Sequence, residues 1–575
     1  MRYGADALGG VLIAEGLGQP DSTGLTGKVN IMGASNNRMG AASALLSYSP
    51  AALPGLYMHA TGTARRAGDS HAPTYNLSNT GLAEYNGSGT IGLAGRKAGI
   101  ELGYSRFYTR LGILLASNAA NLTDLNAAIA SDRPKNVQAF SYDIKNPYQK
   151  VSHDLARAKA YYAFSTSDRI ELQVAFQKNV RKEFDKHRPF GVSNYLKRPS
   201  VVFDLNTYSA ELTEKHSFNQ HLHLLTGLSY YYGEKTGNFD ASTTRFLLRS
   251  LIPNYTSNLI GAFAVLEGEN GPYSYTIGAR AEQKSYQVQA GAWANQPTAR
   301  SFQLYSAGAQ LVRSLGPHLH VEAGLNTAGR APSISELYSR GLHHGLASIE
   351  VGLPTAKAEQ MFSATMGTAL KFHKFTATAG IYANRINSFL NLTPAPPAAV
   401  TIGGTFPVFR TAQQDAYFLG SDWAAKYAFH PAYAFEGSAS FVRVRSVLTN
   451  QFLTQMPADR FRLAFIHYGR TVAGLIEPII RIEGQYVSRQ THLPANYLSD
   501  SLDFAAPPSG YFTASFSLST KFKAASRIMQ VGIEGQNILN KRYRDYLDRF
   551  RYFADAQGSN FILRLGIPIH QTNKS

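Results

Sequence analysis

The chain has 575 residues, contains no cysteine and carries a formal net charge of +18. The lack of cysteine excludes disulfides, cysteine zinc sites and thiol catalysis. A positive charge suits nucleic acid, acidic lipid headgroups or an anionic substrate, but these cations are spread along the whole chain without a dense basic run. We therefore expect no nucleic-acid partner.

The composition favours a single large all-β domain over several small ones. Tyrosine (33), phenylalanine (32) and glycine (50) are all abundant. No apolar run reaches the roughly 18 residues that a membrane-spanning helix needs, so none is predicted. The N-terminus also lacks the apolar centre of a signal peptide.

The first predicted element is a short strand at residues 11–14, which follows the glycine pair Gly9 and Gly10. From about residue 26 onward, apolar and polar residues alternate as in half-buried strands. In RIELQVAFQ, for example, one face carries Ile170, Leu172, Val174 and Phe176. The preceding AKAYYAF and the polar turn STSDR complete a predicted hairpin. Only NLTDLNAAIA and ISELYSR allow local helix.

The lengths of the strands and connections predict a transmembrane barrel. Many strands reach the roughly nine residues of a tilted bilayer span. Short turns alternate with long polar segments at about 184–200, 235–257, 390–416 and 487–508, a pattern typical of outer-membrane barrels. At roughly 25 residues per strand and connection, the chain provides about 22 antiparallel strands. The lumen of such a barrel is too wide for side chains to fill, so we expect a plug.

Six stretches, in order along the chain, resemble the TonB-dependent outer-membrane receptors, which import iron complexes and other scarce nutrients. RYGADALGGVLIAE resembles the last strand of their plug, NPYQKVSHDLARAKAYYAF resembles an early barrel segment, and AFQKNVRKEFD resembles a strand and loop entry of one iron-complex subgroup. RAPSISELYSRGLHHG resembles a mid-barrel box, and IGGTFPVFRTAQQDAYFLGSDW a later strand pair. GQNILNKRYRDYLDRFRYFADAQGSNFILRLGI resembles the terminal region.

The resemblance implies a plug remnant at residues 1–25 and a receptor barrel at residues 26–575. It implies a bacterial outer-membrane receptor for a ferric siderophore or related metal chelate, energised through TonB and in contact with lipopolysaccharide. The TonB box and most of the plug are absent from this sequence, so we expect Met1 to be internal to a longer protein. A passive, plugless pore and a haem or zinc receptor of the same family remain alternatives. No cofactor is expected.

His343 and His344 are the leading candidates for metal or ligand binding. They lie between R-A-P at 330–332 and VGLPTAKAE, the interval in which haem receptors of this family place a histidine. Gly329 replaces the aromatic residue of the first haem box, and only Pro354 of the second is kept. Siderophore and zinc receptors also carry a histidine here, and a loop-packing role stays open.

Arginine and tyrosine in the long segments suit an anionic, aromatic-rich chelate, since guanidinium groups pair with carboxylates and tyrosine rings stack on flat ligands. The remaining substrate-binding candidates are Tyr338, Arg340, Arg188 and Arg410. Basic loops would suit lipopolysaccharide phosphates equally well. For Arg330 and Glu359 we expect a structural role, bonding the plug or each other.

The sequence carries no catalytic signature. HExxH, GxSxG and Walker-type loops are all absent. We therefore expect a receptor rather than an enzyme.

Overall fold

A computed structural model describes residues 2, 4, 8–13, 15–117, 119–185, 197–237, 251–289, 298–401, 404–524 and 527–570. Twenty-two antiparallel strands form a closed barrel, in which each strand pairs with its neighbours along the chain and the last pairs with the first. The predicted barrel of about 22 strands is confirmed.

The barrel strands are β1 Gly24–Ala34, β2 Met39–Ser49, β3 Leu56–Ala67, β4 Leu82–Ala94, β5 Ala98–Gly112, β6 Tyr148–Ala163, β7 Asp168–Phe184, β8 Val201–Ser217, β9 Leu222–Thr236, β10 Tyr255–Asn270, β11 Tyr273–Val288, β12 Thr298–Ser314, β13 Leu319–Arg330, β14 Glu359–Phe372, β15 Phe375–Pro394, β16 Val408–His430, β17 Tyr433–Ser446, β18 Arg460–Tyr468, β19 Leu475–Val487, β20 Tyr511–Ala524, β21 Arg527–Gln536 and β22 Asn560–His570.

The connections contain the remaining elements. The helices are α1 Leu122–Ala130 and α2 Ile334–Tyr338, and the 3-10 turns are Leu115–Ser117, His344–Leu346 and Arg549–Tyr552. The short strands are Ser70–Ala72, Tyr75–Leu77, Arg340–His343, Ser348–Val351, Ala399–Thr401 and Gly404–Phe406.

The two ends of the barrel differ. Residues 164–167 join β6 to β7 in a short turn, whereas residues 185–200 join β7 to β8 in a long loop. From β3 onward the two kinds of connection alternate, so all long loops lie at one end. We call this the loop end and the opposite one the turn end.

The wall carries apolar side chains outside and charged ones inside. In β19, Ile482 and Tyr486 are 53% and 46% exposed on the outer face. On either side of Ile482, Arg481 and Glu483 form an ion pair at 2.7 Å on the inner face. A soluble protein would bury such apolar rows, whereas a bilayer requires them outside. The alternation predicted from the sequence is confirmed.

Both stretches that allowed helix form one. Asn121 caps α1, its side chain accepting a hydrogen bond from the Asp124 amide at 2.8 Å. Ser333 and Glu336 form a capping box at the start of α2. Among the described residues, no helix combines the length and apolarity needed to cross a membrane.

The strand predicted at residues 11–14 is not formed in the part of this stretch that the structure describes. Residues 11–13 have no regular secondary structure, and Leu12 is 96% exposed. A strand needs a hydrogen-bonded neighbour, and none of the described strands pairs with this segment. Nearby residues instead contact the inner wall, where His59 Nε2 lies 2.9 Å from the Gly18 carbonyl oxygen. The boundary between plug and barrel stays a prediction.

Candidate functional site

Two of the long loops, residues 488–510 and 537–559, pack against each other around a buried polar cluster that we call the loop lock (Tyr497, Asp503, Tyr546, Arg551 and Tyr552). Arg551 and Tyr497 both donate hydrogen bonds to Asp503, and Tyr552 donates another at 2.5 Å. Burial, followed by the charge of Asp503, raises the pKa of Tyr497. The loop lock joins residues 488–510 to residues 537–559.

Residues 340–351 form a second unit at the loop end, the mouth hairpin. Its strands Arg340–His343 and Ser348–Val351 are antiparallel, and the turn between them ends at Ala347, whose φ is 46°. The second strand also pairs in parallel with the start of β16. The mouth hairpin is therefore fixed to the barrel wall by backbone hydrogen bonds.

His343 and Glu350 lie on one face of the mouth hairpin. His343 Nδ1 is 3.0 Å from Glu350 Oε1, and Arg549 Nη1 donates to the same oxygen at 2.7 Å. Burial would raise the pKa of Glu350, but the hydrogen bonds and charges of His343 and Arg549 outweigh it, so this pKa is lowered. Arg549 belongs to the same 3-10 turn as Arg551, so Glu350 connects the mouth hairpin to the loop lock.

His344 has a different environment from His343. Its ring is buried, and Nδ1 lies 3.8 Å from Oδ2 of Asp185, the residue after β7. Nε2 of His344 is buried and has no hydrogen-bond partner among the described residues. The two adjacent imidazoles therefore contact separate partners.

Arg340, on the other face of the mouth hairpin, and Arg410, on the adjoining start of β16, are brought onto one face. Arg340 is directly opposite Val351, and Val351 is directly opposite Arg410. Residues at such positions share a face, and two interstrand spacings separate Arg340 from Arg410 by about 10 Å. Both side chains are exposed, and neither forms an ion pair within the described part of the chain.

Two other predicted ligand residues are not brought to this face. Tyr338 is 5% exposed and packs with Tyr286, Phe302 and Leu337 in a hydrophobic cluster. Arg188 lies outside the described residues. Contact with ligand stays a prediction for both.

Arg330 and Glu359 bond each other at the base of the mouth hairpin. Arg330 Nε donates to Glu359, and its two terminal nitrogens donate to Glu336 at 3.0 and 2.9 Å. Glu359 also accepts the Leu390 amide at 2.6 Å. The pair ties β13, α2, β14 and β15 together, while contact with a plug remains a prediction.

Sequence reasoning missed Glu350, Asp185 and Arg549. Glu350 lies in the alternating stretch SIEV, and Arg549 lies in KRYRDYLDRFRYF, a basic run interleaved with aromatic residues. Neither pattern reveals that two loops about 200 residues apart meet. Only the closure of the barrel brings these positions together.

Among the described residues, one group of three side chains could ligate a metal ion, and it does not include His343 or His344. Asp168, Glu214 and His216 have potential ligand atoms within 4.8 Å of one another. They lie at the turn end, at the start of β7 and the end of β8. A haem or zinc role for the histidine pair stays a prediction.

A closed barrel with an apolar exterior, a charged lumen and packed loops over one end defines the class of large outer-membrane-type β-barrels. The sequence matches the family model described as "TonB dependent receptor-like, beta-barrel" over residues 63–538, and the chain belongs to this family. This confirms the resemblance found in the sequence. Its members are outer-membrane receptors and transporters, not enzymes. No curated protein matches the chain.

Solved structures share the fold. "Copper transporter OprC" is 15% identical with a TM-score of 0.73, and the match covers 96% of this chain and 81% of that one. The FrpB iron transporter from Neisseria meningitidis is 14% identical with a TM-score of 0.69, covering 96% and 82%. The ferric yersiniabactin uptake receptor FyuA from Yersinia pestis is 14% identical with a TM-score of 0.64, covering 96% and 81%.

Proposed function

We propose that this protein lies in the bacterial outer membrane, where it binds an anionic metal chelate, a ferric siderophore or related complex, at the loop end and imports it. In its complete form the protein draws energy through TonB. Membership of the receptor family supports the transport role, and the neighbours named for iron, copper and ferric yersiniabactin support a metal cargo. Its membrane partner is lipopolysaccharide.

The observation that carries the proposal is a pair of exposed arginines, Arg340 on the mouth hairpin and Arg410 on the adjoining start of β16. Arg340 and Arg410 flank Val351 on one face. Two arginines whose backbones lie about 10 Å apart can each donate paired hydrogen bonds to carboxylate or catecholate oxygens at opposite edges of a chelate. Because neither arginine forms an ion pair with a described carboxylate, binding breaks no such pair.

The opposite face of the mouth hairpin supplies the link to the loops. Glu350 holds His343 and Arg549, and Arg549 shares a turn with the loop lock residue Arg551. A chelate that moves the hairpin therefore also pulls on residues 537–559. Loop contraction over the cargo, followed by force on the plug from TonB, would admit it to the lumen.

Equilibrium binding to the full native protein tests this site. The probes are a ferric tris-catecholate, a ferric hydroxamate and haem, each measured against wild type, Arg340→Gln/Arg410→Gln and the control Arg313→Gln at the turn end. We expect one probe to bind wild type and the control, and to bind the double variant at least about tenfold more weakly, since each charge-assisted hydrogen bond contributes roughly that factor. If the double variant binds the probe as tightly as wild type, the arginine pair is not part of the binding site.

A second measurement separates the receptor from a passive pore. Liposomes containing the native protein are placed in small sugars, and their swelling is followed. The receptor resists swelling because its plug closes the lumen, whereas rapid swelling together with no chelate binding would establish the pore.

A further inference from the structure

Three side chains with metal-binding groups converge at the turn end of β7 and β8. Asp168 is the first residue of β7 and lies directly opposite His216, the second-last residue of β8. Glu214 lies two residues before His216, so strand alternation places both side chains on one face. The potential ligand atoms of the three residues all lie within 4.8 Å of one another. We call this group the rim triad.

The rim triad is on the outer face of the barrel and can be reached by solvent. Glu214 and His216 share their face of β8 with Tyr208 and Leu212, which are 51% and 43% exposed. Glu214 is exposed, and the other two members are partly exposed. Because all three lie within four residues of a strand end, their charges can be solvated at the membrane interface. An ion can therefore bind the triad without entering the lumen.

The two carboxylates of the rim triad lack a basic partner within the described chain. Neither forms an ion pair with a lysine or arginine there, and Asp168 pairs with His216 at 2.5 Å between Oδ1 and Nδ1. With a neutral imidazole the triad thus holds two negative charges, in a chain whose net charge is +18. Like charges at short range repel each other, and a bound divalent cation relieves that repulsion.

Hydroxyl groups orient both carboxylates. Ser165 and Ser167 each donate a hydrogen bond to Oδ2 of Asp168, at 2.5 and 2.7 Å. Thr226 lies directly opposite Glu214 on β9 and donates to its Oε2 at 3.1 Å. Hydrogen bonds that hold the ligands of a metal site in place strengthen metal binding. The rim triad therefore has the supporting contacts of a metal site as well as the ligands.

His216 differs from two other histidines at the same end of the barrel. In His223 and His320, Nδ1 lies 2.8 and 2.9 Å from a serine hydroxyl. Nδ1 of His216 instead faces a carboxylate, and Phe218 packs edge-on against the His216 ring with 4.5 Å between ring centres. This contact holds the imidazole beside the two carboxylates. His320 provides a matched control, because it belongs to no metal-type group among the described residues.

We propose that the rim triad binds a divalent transition-metal ion such as Zn²⁺ through one imidazole nitrogen and two carboxylate oxygens. Zn²⁺ takes such ligands at about 2.0–2.2 Å, which sets neighbouring ligand atoms about 3.3 Å apart. Rotation of the partly exposed side chains can bring the three groups to this spacing. The metal replaces the proton between Asp168 and His216, and that proton is released to solvent. The imidazole favours Zn²⁺ over Ca²⁺ and Mg²⁺, which prefer oxygen ligands.

The proposed metal site is separate from the loop end. β7 runs for 17 residues from Asp168 to Phe184, so at about 3.3 Å per residue the rim triad lies roughly 50 Å from the loop end. The metal would join the start of β7 to the end of β8 and thereby hold the turn at residues 164–167. Its effect is therefore expected in the backbone of these segments rather than at the mouth hairpin.

Hydrogen exchange of the full native protein in detergent, with and without chelator-buffered Zn²⁺, tests the proposal. We expect Zn²⁺ to increase protection of residues 164–170 and 212–217 in wild type and in the control His320→Gln. The variants His216→Gln and Glu214→Gln should need at least about tenfold more Zn²⁺ for the same protection, since even the loss of a supporting residue costs about tenfold in metal affinity.

Both variants change side chains that are at least partly exposed, and heat-modifiable migration on gels verifies that each barrel is folded. An unchanged response to Zn²⁺ in the two folded variants would overturn the proposal. Equal protection by Ca²⁺ or Mg²⁺ at the same concentration would also overturn it, because the imidazole would then play no part. The measurement needs no chelate, so its result is independent of the proposed cargo binding.

Discussion

The loop lock and the mouth hairpin belong to the same layer of loops but handle their charges differently. In the loop lock, Asp503 and Arg551 are buried and bond each other and neighbouring tyrosines. Arg340 of the mouth hairpin and Arg410 of the adjoining β16 stay exposed, without a described carboxylate partner. Buried charges that satisfy one another hold a structure together, whereas exposed and uncompensated ones are available to a ligand.

The largest expected effect comes from breaking the loop lock. Asp503→Asn leaves the Arg551 charge buried without its carboxylate, which costs about 3–5 kcal/mol. We expect hydrogen exchange and proteolysis to increase in residues 488–510 and 537–559. The barrel itself should keep its heat-modifiable migration on gels, because its strands do not depend on these contacts. Unchanged protection of the two loops would show that the lock does not hold them.

A smaller effect is expected at the link between the two regions. Glu350→Gln removes the carboxylate that holds His343 and Arg549, at a cost of roughly 1–3 kcal/mol. Hydrogen exchange should increase in residues 340–351 and stay unchanged at Asp503. Spread of the change through residues 488–510 would mean that lock and hairpin form one cooperative unit.

The pH dependence of the mouth hairpin follows from Glu350. Its pKa is lowered from 4.5 in the folded protein, so its contribution to stability is fully present above 4.5 and disappears as the pH falls through the lowered value. We expect protection of residues 340–351 to decrease below pH 4.5 in wild type and to change less in Glu350→Gln. The same decrease in both proteins would assign the pH dependence to another group.

The smallest effect is expected for Tyr338→Phe. The ring is 5% exposed within a hydrophobic cluster, and Phe keeps its volume. If Tyr338 serves packing, chelate affinity should stay within a factor of about two, since surrounding contacts are retained. A tenfold loss in equilibrium binding would instead support the direct ligand contact predicted from the sequence.

The strands of the barrel wall could be predicted well from the sequence, and the contacts at the loop end only in part. Strand alternation in RIELQVAFQ depends on local residues, so the β6–β7 hairpin and the outward face of Leu172 could be read directly. The pairing of Glu350 with Arg549 depends on two distant loops meeting above a closed barrel, which no local pattern encodes. Arg340 and Arg410 were predicted as ligand residues from their chemistry. That they lie on one face could be recognised only from the register of three paired strands.

The central claim is that the loop end receives an anionic metal chelate for energised import. The most direct test is uptake of the iron-55 form of the bound chelate by cells in which the full native protein is the only receptor, with and without a proton uncoupler. We predict uptake that stops with the uncoupler and decreases strongly in Arg340→Gln/Arg410→Gln. Uptake that continues without the proton gradient and is unaffected by the double variant would contradict the account.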